Sequence, residues 1–162
     1  MADKKITDLT ELTAAASDDY LEIVDTSANT SNKISRENLA GWHFLTTPLY
    51  STAWDGDAFS TTSKTKIDLS EVFGVPAGVK AVLVLVNMRD SASTTTYSYM
   101  YLSPSDTANS GLIFSCDNGK NDGLVPASAT VPCDANGDIY YQVAASGPGT
   151  MDVTIQIWGY WL

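Results

Sequence analysis

The side chains able to do chemistry are few in this sequence, and their spacing limits what they can do. His43 is the only histidine among 162 residues, so any serine or cysteine hydrolase would draw its general base from that one position. It lies between Trp42 and Phe44, where a packing or hinge role is expected. Carboxylates are plentiful, but they fall in turn sequences such as Asp55-Gly56-Asp57 and Asp134-Ala135-Asn136-Gly137-Asp138. Asp in such places commonly accepts hydrogen bonds from its own backbone, so no glycosidase pair is assigned. The second of these runs has oxygen ligands at alternating positions. Its glycine is misplaced for an EF-hand, however, and no bidentate glutamate follows, so a bare turn is expected and no metal site. Cys116 and Cys133 form no C-x-x-C pair; two free thiols are the expectation, with a disulfide as the alternative in an oxidising setting. There is no P-loop and no dinucleotide fingerprint. The sequence therefore predicts a protein that is not an enzyme and carries no cofactor.

What remains is surface. Eight Tyr and four Trp supply flat amphipathic rings suited to sugars or to protein interfaces. Tyr97, Tyr99 and Tyr101 stand at strand spacing, which places them on one face and Ser98, Met100 and Leu102 on the other. Either face could be the inner one, and the ladder is a candidate ligand-binding surface or a core or inter-subunit ladder. The ending Ile157-Trp158-Gly159-Tyr160-Trp161-Leu162 is apolar where chain ends are usually polar. Trp158, Tyr160 and Trp161 must be covered, either by the core or by a subunit interface.

The elements that hold these residues read as strands. Hydrophobic residues make up 44% of the chain and charged residues 17%, so Ser, Thr, Asn and Gly cover much of the surface, which favours strands and turns. The run from Val79 to Met88 is apolar at nearly every position and predicts a central strand covered on both faces. Other strands are expected at 65–69, 95–102, 111–115, 138–145 and 150–162, with a helical turn at 70–74. In the last strand Met151, Val153, Ile155 and Ile157 alternate with Asp152, Thr154 and Gln156. Six to eight strands with no helical period predict an all-β fold, an antiparallel β-sandwich of jelly-roll type. The charge of −10 and the absence of a basic cluster argue against nucleic acid as a partner. No apolar run is long enough to cross a bilayer, so no membrane insertion is expected.

The first 40 or so residues differ. Ile6, Leu9 and Leu12 are spaced three apart among threonines, which predicts a brief irregular element. Tyr20 to Asp25 can pair with Lys33-Ile34 as a short hairpin, and Ser35 can cap one helical turn that Gly41 ends. So little apolar surface cannot be expected to fold alone. The strings Lys4-Lys5-Ile6-Thr7-Asp8-Leu9-Thr10-Glu11-Leu12, Asp18 to Ser27, Lys33-Ile34-Ser35 and Asn38-Leu39 resemble a leader found on fibre and appendage proteins of tailed-bacteriophage virions. Pro76 to Val84 and the aromatic ending are similar in style to β-sandwich tips of such fibres. The resemblance implies an N-terminal virion-anchoring segment over residues 1–41 and a C-terminal tip domain over 42–162. It implies a homotrimer, a short head or tail fibre or a capsid decoration, assembled in the host cytoplasm and located in the virion. Ile6, Leu9, Leu12, Leu21, Ile23, Ile34 and Leu39 would make the anchor. The implied partners are capsid or tail proteins and, for a tip that acts as an adhesin, a glycan of the host surface. No heptads and no repeat separate leader from tip, so the fibre would be short.

Overall fold

The chain divides into two compact units, residues 1–40 and 41–162. The computed structural model describes residues 20–25 and 30–35 of the first, and 41–92, 97–107, 111–116 and 120–162 of the second. Ile6, Leu9, Leu12 and Leu39, and the expected helical turn after Ser35, lie outside the described residues. In the first unit, β1 (Tyr20–Asp25) and β2 (Thr30–Ser35) form an antiparallel hairpin, with Tyr20 opposite Ser35 and Asp25 opposite Thr30. In this register Leu21 is opposite Ile34 and Ile23 is opposite Asn32.

The second unit contains β3 (Trp42–Leu49), a single 3-10 turn (Thr52–Trp54), β4 (Asp55–Phe59), β5 (Thr65–Ile67) and α1 (Leu69–Phe73). There follow β6 (Ala81–Asp90), β7 (Tyr99–Ser103), β8 (Leu112–Ser115), β9 (Val125–Pro132), β10 (Ile139–Ala144) and β11 (Met151–Trp161). One sheet has the order β3-β11-β6-β9, with β4 also on β11, and the other has the order β5-β10-β7-β8. All neighbours are antiparallel. The pairs nest: β7 with β8, β6 with β9, β5 with β10, and β3 and β4 with β11. That nesting is a long hairpin rolled up until its two arms share two sheets, the jelly-roll form of the β-sandwich.

Alternation fills the space between the sheets. Val82, Val84, Val86 and Met88 of β6 are fully buried, as are Met151, Val153, Ile155 and Ile157 of β11 and Met100 and Leu102 of β7. Each such side chain contributes roughly 1.5–3 kcal/mol through burial. β6 is central, between β11 and β9, as its apolar run predicts, and its second face carries the half-buried Leu83 and Leu85. α1 plugs one end of the sandwich with Leu69 and Phe73. Asp68 caps it by accepting from the Glu71 N–H at 3.0 Å, and Gly74, at φ 73°, ends it in the left-handed conformation that glycine adopts without strain.

At one end the sheets are tied by a carboxylate. Asp90, the fully buried last residue of β6, accepts from the backbone N–H groups of Ser146 at 2.8 Å and Ala92 at 3.0 Å, and from the Ser146 hydroxyl. Ser146 follows β10 of the opposite sheet, so one side chain joins the two layers. Burial opposes ionisation of Asp90, but these donors outweigh it and hold the carboxyl down to about 2.

Candidate binding surfaces

The tyrosines of β7 lie on the outer face of their sheet. Met100 and Leu102 take the inner positions, so Tyr99 and Tyr101 point outward, and Tyr97, just before the strand, is 52% exposed. The rings touch in sequence: Tyr97 and Tyr99 have centroids 5.4 Å apart, and Tyr99 meets Tyr101 edge-on at 5.0 Å. The register sets their neighbours. Gln142 of β10 is opposite Tyr101, Ile113 of β8 flanks it on the other side, and Ser115 is opposite Tyr99. The Lys64 ammonium lies 5.6 Å from the centre of the Tyr101 ring, a cation–π distance. Beneath this row the amide oxygen of Gln142 is buried without a hydrogen-bond partner.

A second aromatic surface lies on the outer face of the other sheet, and a bulge decides which rings of β11 join it. Up to Ile157, β11 alternates regularly: Gln156 pairs with the outward Leu85 and Ile157 with the inward Val84. The register then slips, and Gly159 rather than Trp158 stands opposite the outward Leu83. The extra residue reverses the alternation for the rest of the strand. Tyr160 now pairs with inward Val82 and packs against the core, while Trp161 pairs with Ala81 on the outer side. Trp158 stays outward, its indole N–H donating to Gln156 Oε1 at 3.0 Å.

The same slip governs β3. Trp42 is opposite Trp161, and Phe44 is opposite Gly159, where the missing side chain leaves room for its ring. Trp42 stacks on Phe44 at 6.0 Å and meets Trp161 edge-on at 5.7 Å. Phe44 is nonetheless 72% exposed and Trp161 40%. The three residues singled out at the C-terminus thus part company, with Trp158 and Trp161 outward and Tyr160 inward. Trp42 and Phe44 belong with the outward pair, although nothing in their sequence spacing links them to it. Further up the same outer face the character changes. Arg89 Nε contacts Asp152 at 2.7 Å and Asp122 at 3.7 Å, so that end is charged, whereas the tryptophan end carries the aromatic rings beside Leu83 and Leu85.

The remaining candidates resolve into structure. His43 stacks on Tyr160 at 5.2 Å as a packing group. Asp134 folds its carboxylate back on its own loop, accepting from the Asn136 N–H at 2.8 Å and the Asp138 N–H at 2.9 Å. Asp138 pairs with Lys66 at 3.0 Å. Among the described residues no group of three or more His, Cys, Asp or Glu is placed to hold a metal ion. Cys116 and Cys133 are free thiols, the first with its sulfur 3.6 Å from Met151 Sδ. Burial pushes Cys116 up to about 11, and burial together with Asp134 and Asp138 pushes Cys133 up to about 12, so neither is a reactive thiolate near neutral pH. A cleft of about 420 Å³ opens between β4 and β5, lined by Trp54, Phe59 and Tyr141. Those rings pack on one another at 4.8–6.0 Å, and Trp54 is nearly fully buried, so they close the sandwich edge instead of framing a cage.

No protein-family model and no curated protein matches the chain. Among solved structures, the exo-beta-1,3-galactanase from Phanerochaete chrysosporium, determined with galactose, shares 12% identity at a TM-score of 0.37. The match covers 83% of this chain and 31% of the galactanase chain, so this chain spans about a third of that protein's length. No helix of the described residues is long and apolar enough to cross a membrane.

Proposed function

We propose that the chain is a structural protein of a bacteriophage virion, a short trimeric head or tail fibre or decoration protein held by its N-terminal unit and projecting the jelly roll. The observation that carries this reading is the division of the chain. The strings that resemble a virion leader fall within residues 1–40, a compact unit with its own hairpin, and the jelly roll follows as a second unit. Capsid or tail proteins are the partners of the first unit, and Leu21, Ile23 and Ile34, which lie in the paired strands of the hairpin, supply part of the anchoring surface. Light scattering on the purified full chain should return three times the 17.3 kDa of one subunit. A monomer at micromolar concentration would sink the trimer.

A second reading is favoured by the tyrosine row. Aromatic rings standing beside a glutamine and a lysine suit the C–H faces and hydroxyls of a pyranose, which makes the jelly roll a saccharide-binding adhesin on the same particle. A glycan array probed with the full chain tests it. Binding that disappears on Tyr99→Ala supports the adhesin; an empty array, or binding indifferent to that substitution, removes it.

A further inference from the structure

The tryptophan surface needs an occupant, and we infer that it is a second copy of this chain: the Trp42, Phe44, Trp158 and Trp161 rings are the surface through which jelly rolls meet about the three-fold axis. This rests on the trimer proposed above and adds which face builds it.

Three observations favour a copy of the same chain. The first is charge. Each chain carries −10, so copies repel one another over most of their surface. Contact costs least away from the paired charges, and on this outer face Arg89, Asp122 and Asp152 stand at one end and the aromatic cluster at the other. The second is chemistry. Interfaces between like subunits are richer in apolar and aromatic residues than the rest of the surface, and Trp, Phe and Leu here replace the tyrosine hydroxyls and lysine of the opposite sheet. The third is connection. Trp42 lies two residues beyond the end of the first unit, so copies gathered by their N-terminal units would hold these surfaces at high effective concentration.

Phe44 is the position to change, because a ring 72% exposed within one chain contributes little to that chain's own stability. The full chain and its Phe44→Asp variant are compared by light scattering, with circular dichroism and thermal melting as the folding control. A trimer in the parent and a folded monomer in the variant support the assignment. A trimer in both overturns it while leaving the trimer reading intact, and a monomeric parent overturns both. Should the variant fail to fold, hydroxyl-radical footprinting of the parent decides. Phe44 and Trp161 protected while Tyr97 reacts freely supports the interface, and Phe44 reacting as readily as Tyr97 removes it.

Discussion

Each sheet of the sandwich turns an aromatic face to the outside, but the two are made by different means. On the β5-β10-β7-β8 sheet the tyrosines follow unbroken two-residue alternation, so one short strand carries the row. On the other sheet the rings come from opposite ends of the domain sequence, Trp42 and Phe44 from β3 and Trp158 and Trp161 from β11, and a one-residue slip brings them together. Their neighbours differ too. The tyrosines keep polar tips beside Lys64 and Gln142, whereas the tryptophans stand near Leu83 and Leu85. A regular strand with polar tips is a surface that can stay wet. A bulge that turns Tyr160 inward and sets Trp161 outward beside Trp42, Phe44 and Trp158 leaves hydrophobic area exposed, and this is the stronger sign of a partner.

The largest effect should come from the residue that supports both faces at once. Asp90→Ala strips a buried carboxylate from three donors at Ser146 and Ala92, and leaving such groups unsatisfied costs roughly 2–4 kcal/mol. Chemical denaturation should show that loss whichever face is monitored, and a loss felt by only one sheet would mean that the layers are not coupled through Asp90. The same carboxylate sets an acid response. Its pKa is depressed in the folded state, to about 2 from an ordinary value near 3.8, so its stabilisation is complete above pH 4 or so and drains away as pH falls from there through about 2. Asp68, held down first by the Ser70 hydroxyl, and Asp134, held down by its loop N–H groups against the pull of burial, act with the same sign. Denaturation midpoints at pH 7, 4 and 2.5 should therefore fall mainly over the last interval, and Asp90→Asn should flatten the fall.

Next in size is a change that strikes one face alone. A side chain on Gly159 would bring a Cβ within 2.9 Å of the His43 carbonyl oxygen and 3.5 Å of the Phe44 ring. Gly159→Ala must push β3 away from β11, at about 2 kcal/mol by analogy with other overpacked sites. Phe44 and Trp161 should shift with it. The proposed trimer should weaken while any saccharide binding by the tyrosine row persists. Equal loss of both would erase the distinction between the two surfaces.

The same contrast marks what could be read in advance. The apolar run of β6 and the alternation of β7 and β11 disclosed the sandwich, its central strand and the tyrosine row, because period-two patterning is a local property of sequence. β9 escaped: Val125–Pro132 carries two prolines and small residues, a composition tolerated at a sheet edge but carrying no strand signal. β4 escaped because Asp55-Gly56-Asp57 has the chemistry of a turn, yet it pairs with β11 as the continuation of β3. The tryptophan surface was half visible. Sequence marks Trp158, Tyr160 and Trp161 alike as residues in need of cover, since a bulge leaves no signature except a glycine among large side chains. Nothing local could join Trp42 to Trp161, 119 positions away, because register between distant strands is settled by the whole fold.

The smallest stability effect is expected at the tyrosine row, and its smallness is informative. Tyr99 is half-buried and touches Tyr97 and Tyr101 by ring contacts worth roughly 0.5–1 kcal/mol in such pairs, so Tyr99→Ala should lower stability by about 1 kcal/mol. The number of subunits in the proposed assembly should not change, because this row is on the sheet opposite the proposed interface. A fall of several kcal/mol would mean that the tyrosines are a structural seam, and dissociation of the trimer would make them the interface in place of the tryptophans. A variant that is stable, still trimeric and altered only in what it binds would confirm that the two faces divide the work, one joining copies and the other meeting whatever lies outside.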